Sequence, residues 1–433
     1  MSSDRTRVLQ RIGGIGGAVR ALKACIALSW LAASTASAAT SYYDAAFRAD
    51  IRAQRPTISV ELELRGERLP SRIEFHIDPT RHRSFASTDP VTTKGTVVTW
   101  LPSGSKAQLT YEFVATHERS AKRFDSLVTS DWAVFRGDKL VPRVAVTAPR
   151  NARSRTTLEF TLPAQWSVAA AYPQEGPLFK VADSVRKFDR PSGWILAGKL
   201  GKRSELIDGV QTIVAAPEGE SSRRQDILAF LNWNLPHLKD VFTEFPKRLL
   251  VVSAGDPMFR GGLSGPASLF IHSDRPLISE NRTSTLLHEL VHVAMGIRGD
   301  EESDWIVEGF AEYYSLEILR RSGGIGRSRY EEALKRMEGW ARRTPNVFKP
   351  ESSGASTARA VIALRAADLE IRKHSGGRAN LDDVAAALAE RGGEVSLEIL
   401  QNFANRAAGQ EVLALQRQRL NAPLQSAQLL TAP

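Results

Sequence analysis

Between residues 41 and about 190, apolar residues recur at alternate positions. The runs are Ile58-Val60-Leu62-Leu64, Ile73-Phe75-Ile77, Val97-Thr99-Leu101, Leu109-Tyr111-Phe113 and Leu158-Phe160-Leu162. Period-two alternation, broken by turn residues, predicts strands with one buried face, and several in succession predict an antiparallel β-sandwich. The pattern changes after residue 190. Ser222 to Gln225 has the spacing of a capping box, and 227–242 reads as a helix with Pro236 as a candidate interruption. Two short apolar runs, 249–252 and 267–271, read as strands, and from Thr285 onward helical periodicity dominates. The expected class is α+β and multidomain: a β-sandwich over 39–190, a mixed domain over 191–345 and a helical region over 346–433. The last stretch, 421–433, reads as a loosely packed end.

The first 38 residues belong to neither pattern. Arg5, Arg7, Arg11, Arg20 and Lys23 precede a short apolar run at 24–33, and Ala36-Ser37-Ala38 follows. Basic start, apolar middle and small-residue site are the parts of a secretory signal peptide, with cleavage expected after Ala38. A retained anchor is the alternative, although the apolar run is short for a bilayer. The single cysteine, Cys25, falls inside this segment. The mature chain would then hold no thiol and no disulfide, and a periplasmic or secreted location is expected. Formal charge is +10 over 433 residues. Five bases and one acid of this sum lie in 1–38, leaving the remainder near +6. The remaining bases are scattered rather than clustered, so no nucleic-acid partner is expected. No integral membrane segment is expected after signal cleavage.

The chemistry concentrates at His288-Glu289-Leu290-Val291-His292. On a helix, residues i and i+4 share a face, so both imidazoles can reach one metal ion. Glu289, beside the first histidine, can take a proton from a metal-activated water. Two histidines on an ordinary polar face would be the plain alternative. The surrounding TLLHELVHVAM is apolar on nearly every side, and buried imidazoles and a buried carboxylate are costly unless something satisfies them. A second helix is expected from Asp304 to about Arg321, started by Ser303 or Asp304 and ended by Gly323-Gly324. Its Glu308 is the natural third ligand, completing a two-histidine, one-carboxylate site for Zn2+ with an open position. Glu312, one turn further, either orients a ligand imidazole or is an exposed helix acid.

HELVH followed by WIVEGFAEYY resembles the gluzincin peptidases, in particular the glycyl aminopeptidase family and the related aminopeptidase-N family. Three further stretches are similar: IALRAADLEIRKHSGGRANLDDVAAAL at 362–388, GGLSGPASLFIH at 261–272 and, more weakly, FKVADSVRKFDRPSGWILAG at 179–198. A metzincin site would need a histidine at Arg298 and a glycine at Met295. The resemblance implies a thermolysin-like catalytic domain over 191–345, a bound zinc, peptide or protein substrates, and hydrolysis with Glu289 as base. It also implies that the strand over 267–272 lies along the cleft and pairs with substrate backbone, where without the resemblance an ordinary edge strand is the alternative.

The chain departs from these families at two places. Ser264 stands where relatives carry a glutamate for the substrate amine. Thr357 falls near the place of an oxyanion-stabilising tyrosine, and no tyrosine follows Tyr330. The linker from His292 to Glu308 is also short for these families. By side-chain chemistry Tyr313, Tyr314, Tyr330, Arg359 and His374 remain as possible oxyanion donors. His76, His82, His117 and His237 read as structural or surface residues. A zinc-binding but catalytically weak peptide binder, or a structural envelope protein, stays open beside the peptidase.

Overall fold

The computed structural model describes residues 40–181, 187–220 and 222–422. The expected signal peptide and nearly all of the expected loose end lie outside them.

Three sheets built from the N-terminal half surround one core. The largest holds seven strands, with Ser41–Asp50 and Thr57–Arg65 near its centre. A four-stranded sheet contributes Ile73, Phe75, Val98 and Trp100 to the same core, and a five-stranded sheet contributes Phe135, Ile195 and Ala197. The expected all-antiparallel arrangement needs correction. Ser41–Asp50 runs parallel to Ala152–Thr161 over its full length, so the largest sheet is mixed. Alternation along a strand reports which face is buried and carries no information on the direction of its partner.

One expected face is also reversed. In the strand Val97–Trp100, Val98 and Trp100 point inward, while Leu101 lies outside and is exposed. Trp100 is wholly buried, and its indole N–H donates to the Ser87 hydroxyl at 3.1 Å. One large ring with a satisfied polar atom outweighs a valine and a leucine in choosing the face.

The strand Trp194–Gly198 lies beyond the boundary drawn at 190, yet it pairs with Trp132–Arg136 and Ser167–Ala170 of the N-terminal sheets. All five of its residues are buried. Ile195 and Ala197 enter the N-terminal core, while Trp194 and Leu196 pack against Leu250, Val252 and Phe270 of the next sheet. A strand buried on both faces reads as a continuous apolar run, so the alternation ended before the sheet did.

That next sheet has five strands, in the order Leu200–Ile207, Val210–Pro217, Arg248–Ala254, Ser268–His272 and Gly262–Gly265. Its second face carries Leu249, Val251, Leu269 and Ile271 into a core shared with the helices. The helix Arg224–Lys239 starts without the expected capping box, since Arg223 occupies the cap position and makes no side-chain cap bond. It continues through Pro236, which falls in the last turn, where the lost N–H removes a single bond. The helices that follow include Thr285–Met295, Asp304–Arg321, Arg327–Ala341, Ala355–Ser375, Leu381–Arg391 and Leu397–Ala408. Among the described residues no helix is long and apolar enough to cross a membrane.

Candidate metal centre

Thr285–Met295 forms its helix for local reasons. The Ser284 hydroxyl accepts from the Leu287 N–H at 3.3 Å, and Gly296 closes the far end in the left-handed conformation. Leu286, Leu287, Leu290, Val291 and Met295 bury their side chains in the helical core. The remaining stripe carries His288 and His292. A short strand, Ile297–Gly299, pairs in parallel with Gly393–Val395 and turns the chain back within a few residues. Asp304–Arg321 then packs across the motif helix. Ser303 occupies its cap position without a side-chain cap bond. Asp304 does not cap it either; its carboxylate accepts from the Ser352 N–H at 2.6 Å and ties down a distant loop.

These two helices bring the three sequence-predicted ligands together. His288 Nε2 and His292 Nε2 are 3.1 Å apart. The Glu308 carboxylate lies 3.2 Å from the first and 3.4 Å from the second. Donor atoms bound tetrahedrally to one zinc at its usual bond lengths would stand about 3.3 Å from one another. Two imidazole nitrogens and a carboxylate at that spacing fit a zinc ion. No other group of three or more histidine, cysteine or acidic side chains converges this way among the described residues.

The ligands are held from behind. Glu312 Oε2 lies 3.0 Å from His288 Nδ1, so that nitrogen keeps its hydrogen and Nε2 is turned toward His292 and Glu308, where a metal would be held. Of the two readings of Glu312, the orienting one holds. Gly309 lets the ligand helix sit close to Ala355–Ser375, since a Cβ there would come 2.7 Å from that of Ala360.

Electrostatics separates the acids. Burial disfavours charge on His288, but the hydrogen bonds its ring donates to the Glu308 and Glu312 carboxylates outweigh it and push its pKa up to about 10. Burial acts on Glu308 too, yet the two imidazoles hold its carboxyl well below the usual carboxylate range. The site thus stabilises positive charge between its ligands. Glu289 is buried, and burial raises its pKa, opposed by His288 and His292 and by a hydrogen bond from Ser264. It is a carboxylate of raised proton affinity beside the three candidate ligands.

The edge strand Gly262–Gly265 closes the Glu289 side. A Cβ on Gly262 would lie 2.5 Å from Glu289 Cγ, so only glycine lets this strand run against the base. The strand is braced from the N-terminal sheets. Arg136 donates to the Ser264 carbonyl at 3.0 Å and the Trp194 indole to the Leu263 carbonyl at 2.8 Å, while on the neighbouring strand the Ser268 hydroxyl accepts from the Trp194 N–H at 2.7 Å.

The possible oxyanion donors do not gather here. Tyr314 donates to Asp382 at 2.9 Å, Tyr330 donates to Glu317, and Tyr313 is buried against Tyr314. The Arg359 guanidinium donates to the backbone carbonyls of Thr344, Leu420 and Ala422. His374 Nδ1 is buried without a partner and does not line the metal-side cavity. Of the remaining histidines, His82 lies 2.7 Å from the Lys139 carbonyl and His117 2.8 Å from Asp125, as structural residues do. Thr357 does reach the site. It lines a cavity beside His288, Glu308 and Glu312, together with Met337, Trp340 and Ser352. Those last three carry no motif, and only the packing of three helices and a loop reveals them.

No protein-family model and no curated protein sequence matches this chain. Solved structures do. An aminopeptidase N family protein from Idiomarina loihiensis is similar with a TM-score of 0.67 at 15% identity, over 88% of this chain and 76% of that one. An M1 zinc metallopeptidase from Deinococcus radiodurans is similar with a TM-score of 0.56 at 16% identity, over 91% and 96%. A point mutant of that enzyme, solved with a Tyr-Ser-Ala substrate, has a TM-score of 0.57 at 15% identity, over 91% and 96%. The chain has the fold of the M1 zinc metallopeptidases.

Proposed function

We propose that this protein is an exported zinc-dependent peptidase of gluzincin type, acting in the periplasm or outside the cell. The observation that carries the reading is the convergence of His288, His292 and Glu308 at zinc-ligand spacing, with Glu312 behind the triad and buried Glu289 beside it. The similarity in fold to metallopeptidases, one of them holding a peptide, supports it.

Bound by the triad, zinc would polarise the scissile carbonyl and acidify a water molecule. Glu289 takes the proton of the attacking water, which its raised proton affinity favours. It then returns that proton to the departing amine nitrogen. Glu312 keeps the His288 ring in one tautomer throughout. Ser268–His272, expected to meet the substrate, is paired on both sides, so that role passes to the edge strand Gly262–Gly265. That strand holds Glu289 in place and leaves its outer backbone groups open to an extended peptide, apart from the Ser264 carbonyl bound by Arg136.

Metal analysis and turnover on a diverse peptide library test the reading. Protein purified without added zinc should carry one zinc per chain, and His288→Ala should lose it. Cleavage should stop on chelation and return with zinc. Zinc content unchanged in His288→Ala, or no hydrolysis by zinc-loaded protein, overturns the peptidase reading. A second reading, a zinc-binding cleft that holds peptides with little turnover, is favoured by one observation. Tyr313, Tyr314, Tyr330 and Arg359 are all engaged with other partners. Tight peptide binding without hydrolysis would decide for it.

A further inference from the structure

Val210–Pro217, the helix Arg224–Lys239 and Arg248–Ala254 form a strand–helix–strand unit. Its two strands run parallel, and Ser268–His272 runs parallel to the second of them. Sheets of this kind take ligands at the carboxyl ends of the strands, against the start of a helix. A cavity lies at that end, with a volume of about 10 Å³. Its polar lining is Arg223 at the helix start, Ser253, His272 and Ser273 at the ends of two strands, and Arg275 in the loop that follows. Apolar side chains make up the rest, Leu286 of the motif helix among them. Neither Glu289 nor any candidate metal ligand lines it.

Ser253 is the informative residue. It is 1% exposed and alternates with Leu249 and Val251, which enter the helical core. Among the described residues its hydroxyl has no hydrogen-bond partner, although it borders the cavity. A buried hydroxyl is costly unless something in the cavity bonds to it. The surroundings favour an acceptor. The Arg275 Nε–H donates to the Arg260 carbonyl at 2.7 Å, which leaves its two terminal nitrogens without a partner among the described residues. Arg223 meets Asp226 only at 3.8 Å, with both side chains exposed. As cap residue of a 16-residue helix, Arg223 offers the first turn no acceptor against the positive end of the dipole. The other polar groups are committed. His272 Nδ1 accepts from the Asp274 N–H at 3.2 Å, which leaves the Nε2 hydrogen for Asp256 at 3.3 Å. Glu220, near Ser273, accepts from the Gly255 N–H at 3.0 Å. No carboxylate lines the cavity.

We propose that this cavity binds a tetrahedral oxyanion, inorganic sulfate or phosphate. One oxygen fills the cavity and accepts from the Ser253 hydroxyl, since about 10 Å³ is roughly the room that one water-sized group needs. The guanidinium forks of Arg223 and Arg275 take the remaining oxygens at the mouth. The bound anion ties the start of the helix to the loop that leads into the motif helix. Nothing in this site requires peptide hydrolysis.

Calorimetric titration of sulfate and of phosphate into the full-length protein, at an ionic strength held constant with sodium chloride, tests the site. One saturable site per chain is expected, and Tm should rise by about 3 °C at a hundred-fold excess over Kd. Arg223→Gln and Arg275→Gln, both at exposed positions, should each weaken binding by about ten-fold, and so should Ser253→Ala. Unchanged circular dichroism marks each variant as folded, and the two arginine variants decide alone if Ser253→Ala does not fold. Equal binding by all the folded variants would place the anion at the metal centre or elsewhere and overturns the proposal. A Tm rise that never saturates, as general salt effects give, overturns it too. So does chloride that displaces sulfate at equal concentration, which would mean a halide site.

Discussion

The two walls of the cleft are built on different principles. The helical wall holds its polar groups by pairing them. Each imidazole faces Glu308, and Glu312 fixes that of His288. The strand wall holds a single acid by confinement, with Gly262 pressed against Glu289 and Ser264 as its hydrogen-bond donor. The consequences for charge are opposite. Paired Glu308 is kept ionised, whereas confined Glu289 has its proton affinity raised. Two glutamates less than two dozen residues apart are thus suited to ligation and to proton transfer by their surroundings alone.

The largest effect is expected where confinement is changed without touching the pairs. Glu289→Gln should keep its zinc and lose turnover by about 10²–10⁴-fold, because an amide cannot accept the proton. Near-wild-type activity in a folded, zinc-loaded variant would break the contrast between the walls. Gly262→Ala should act on the same wall. A methyl group displaces Glu289, and turnover should fall by about ten- to a hundred-fold with zinc content unchanged. On the other wall, Glu312→Gln should weaken zinc affinity by about ten- to a hundred-fold, measured by competition with a chelator. If Glu312→Gln left affinity untouched, pairing would not be what organises that wall.

A smaller effect sharpens the strand wall. Ser264 is neutral, and its carbonyl is bound to the Arg136 guanidinium, so the strand presents no carboxylate to a substrate amine. Peptides with free and with acetylated N-termini should therefore be cleaved at similar rates. Strong selectivity for the free amine would mean that another acid serves as anchor.

The smallest effect concerns how the strand wall is joined to the N-terminal sheets. Asp256, in the loop before Gly262–Gly265, pairs with Arg260 and with Arg123, which lies in a strand of the N-terminal half. The hydrogen bond from Arg260 and the neighbouring charges hold the Asp256 carboxyl well below its usual range. A carboxyl depressed by folding contributes stability above its unfolded pKa, about 3.9, and loses it as pH falls toward the folded value. Asp256→Asn should lower Tm slightly at neutral pH, with the difference shrinking below about pH 4 and in high salt. A constant difference down to pH 2 would remove the ion pair from the account.

The contrast also separates what was readable from what was not. The paired wall was legible, because His288, His292, Glu308 and Glu312 lie at helical spacings on two helices close in sequence. The confined wall was only half legible. Glu289 was evident, but its burial depends on Gly262 and Ser264, which a different layer brings in. The buried strand Trp194–Gly198 was lost to the alternation pattern because both its faces are covered. Ser222 was expected to cap one helix, but Arg223 holds that position; of Ser303 and Asp304, Ser303 holds the cap position of the other without a side-chain cap bond, and Asp304 bonds Ser352 across the fold.

By itself the sequence singled out the three side chains that converge, Glu289 beside them and the succession of strands then helices, since these rest on periodicity and on the spacing of near neighbours. Only the tertiary structure decided the parallel pairing of Ser41–Asp50 with Ala152–Thr161, the engagement of Arg359 with backbone carbonyls, and the cavity beside Thr357. Each of these joins residues far apart in the chain, and contacts of that kind leave no period in the sequence to read.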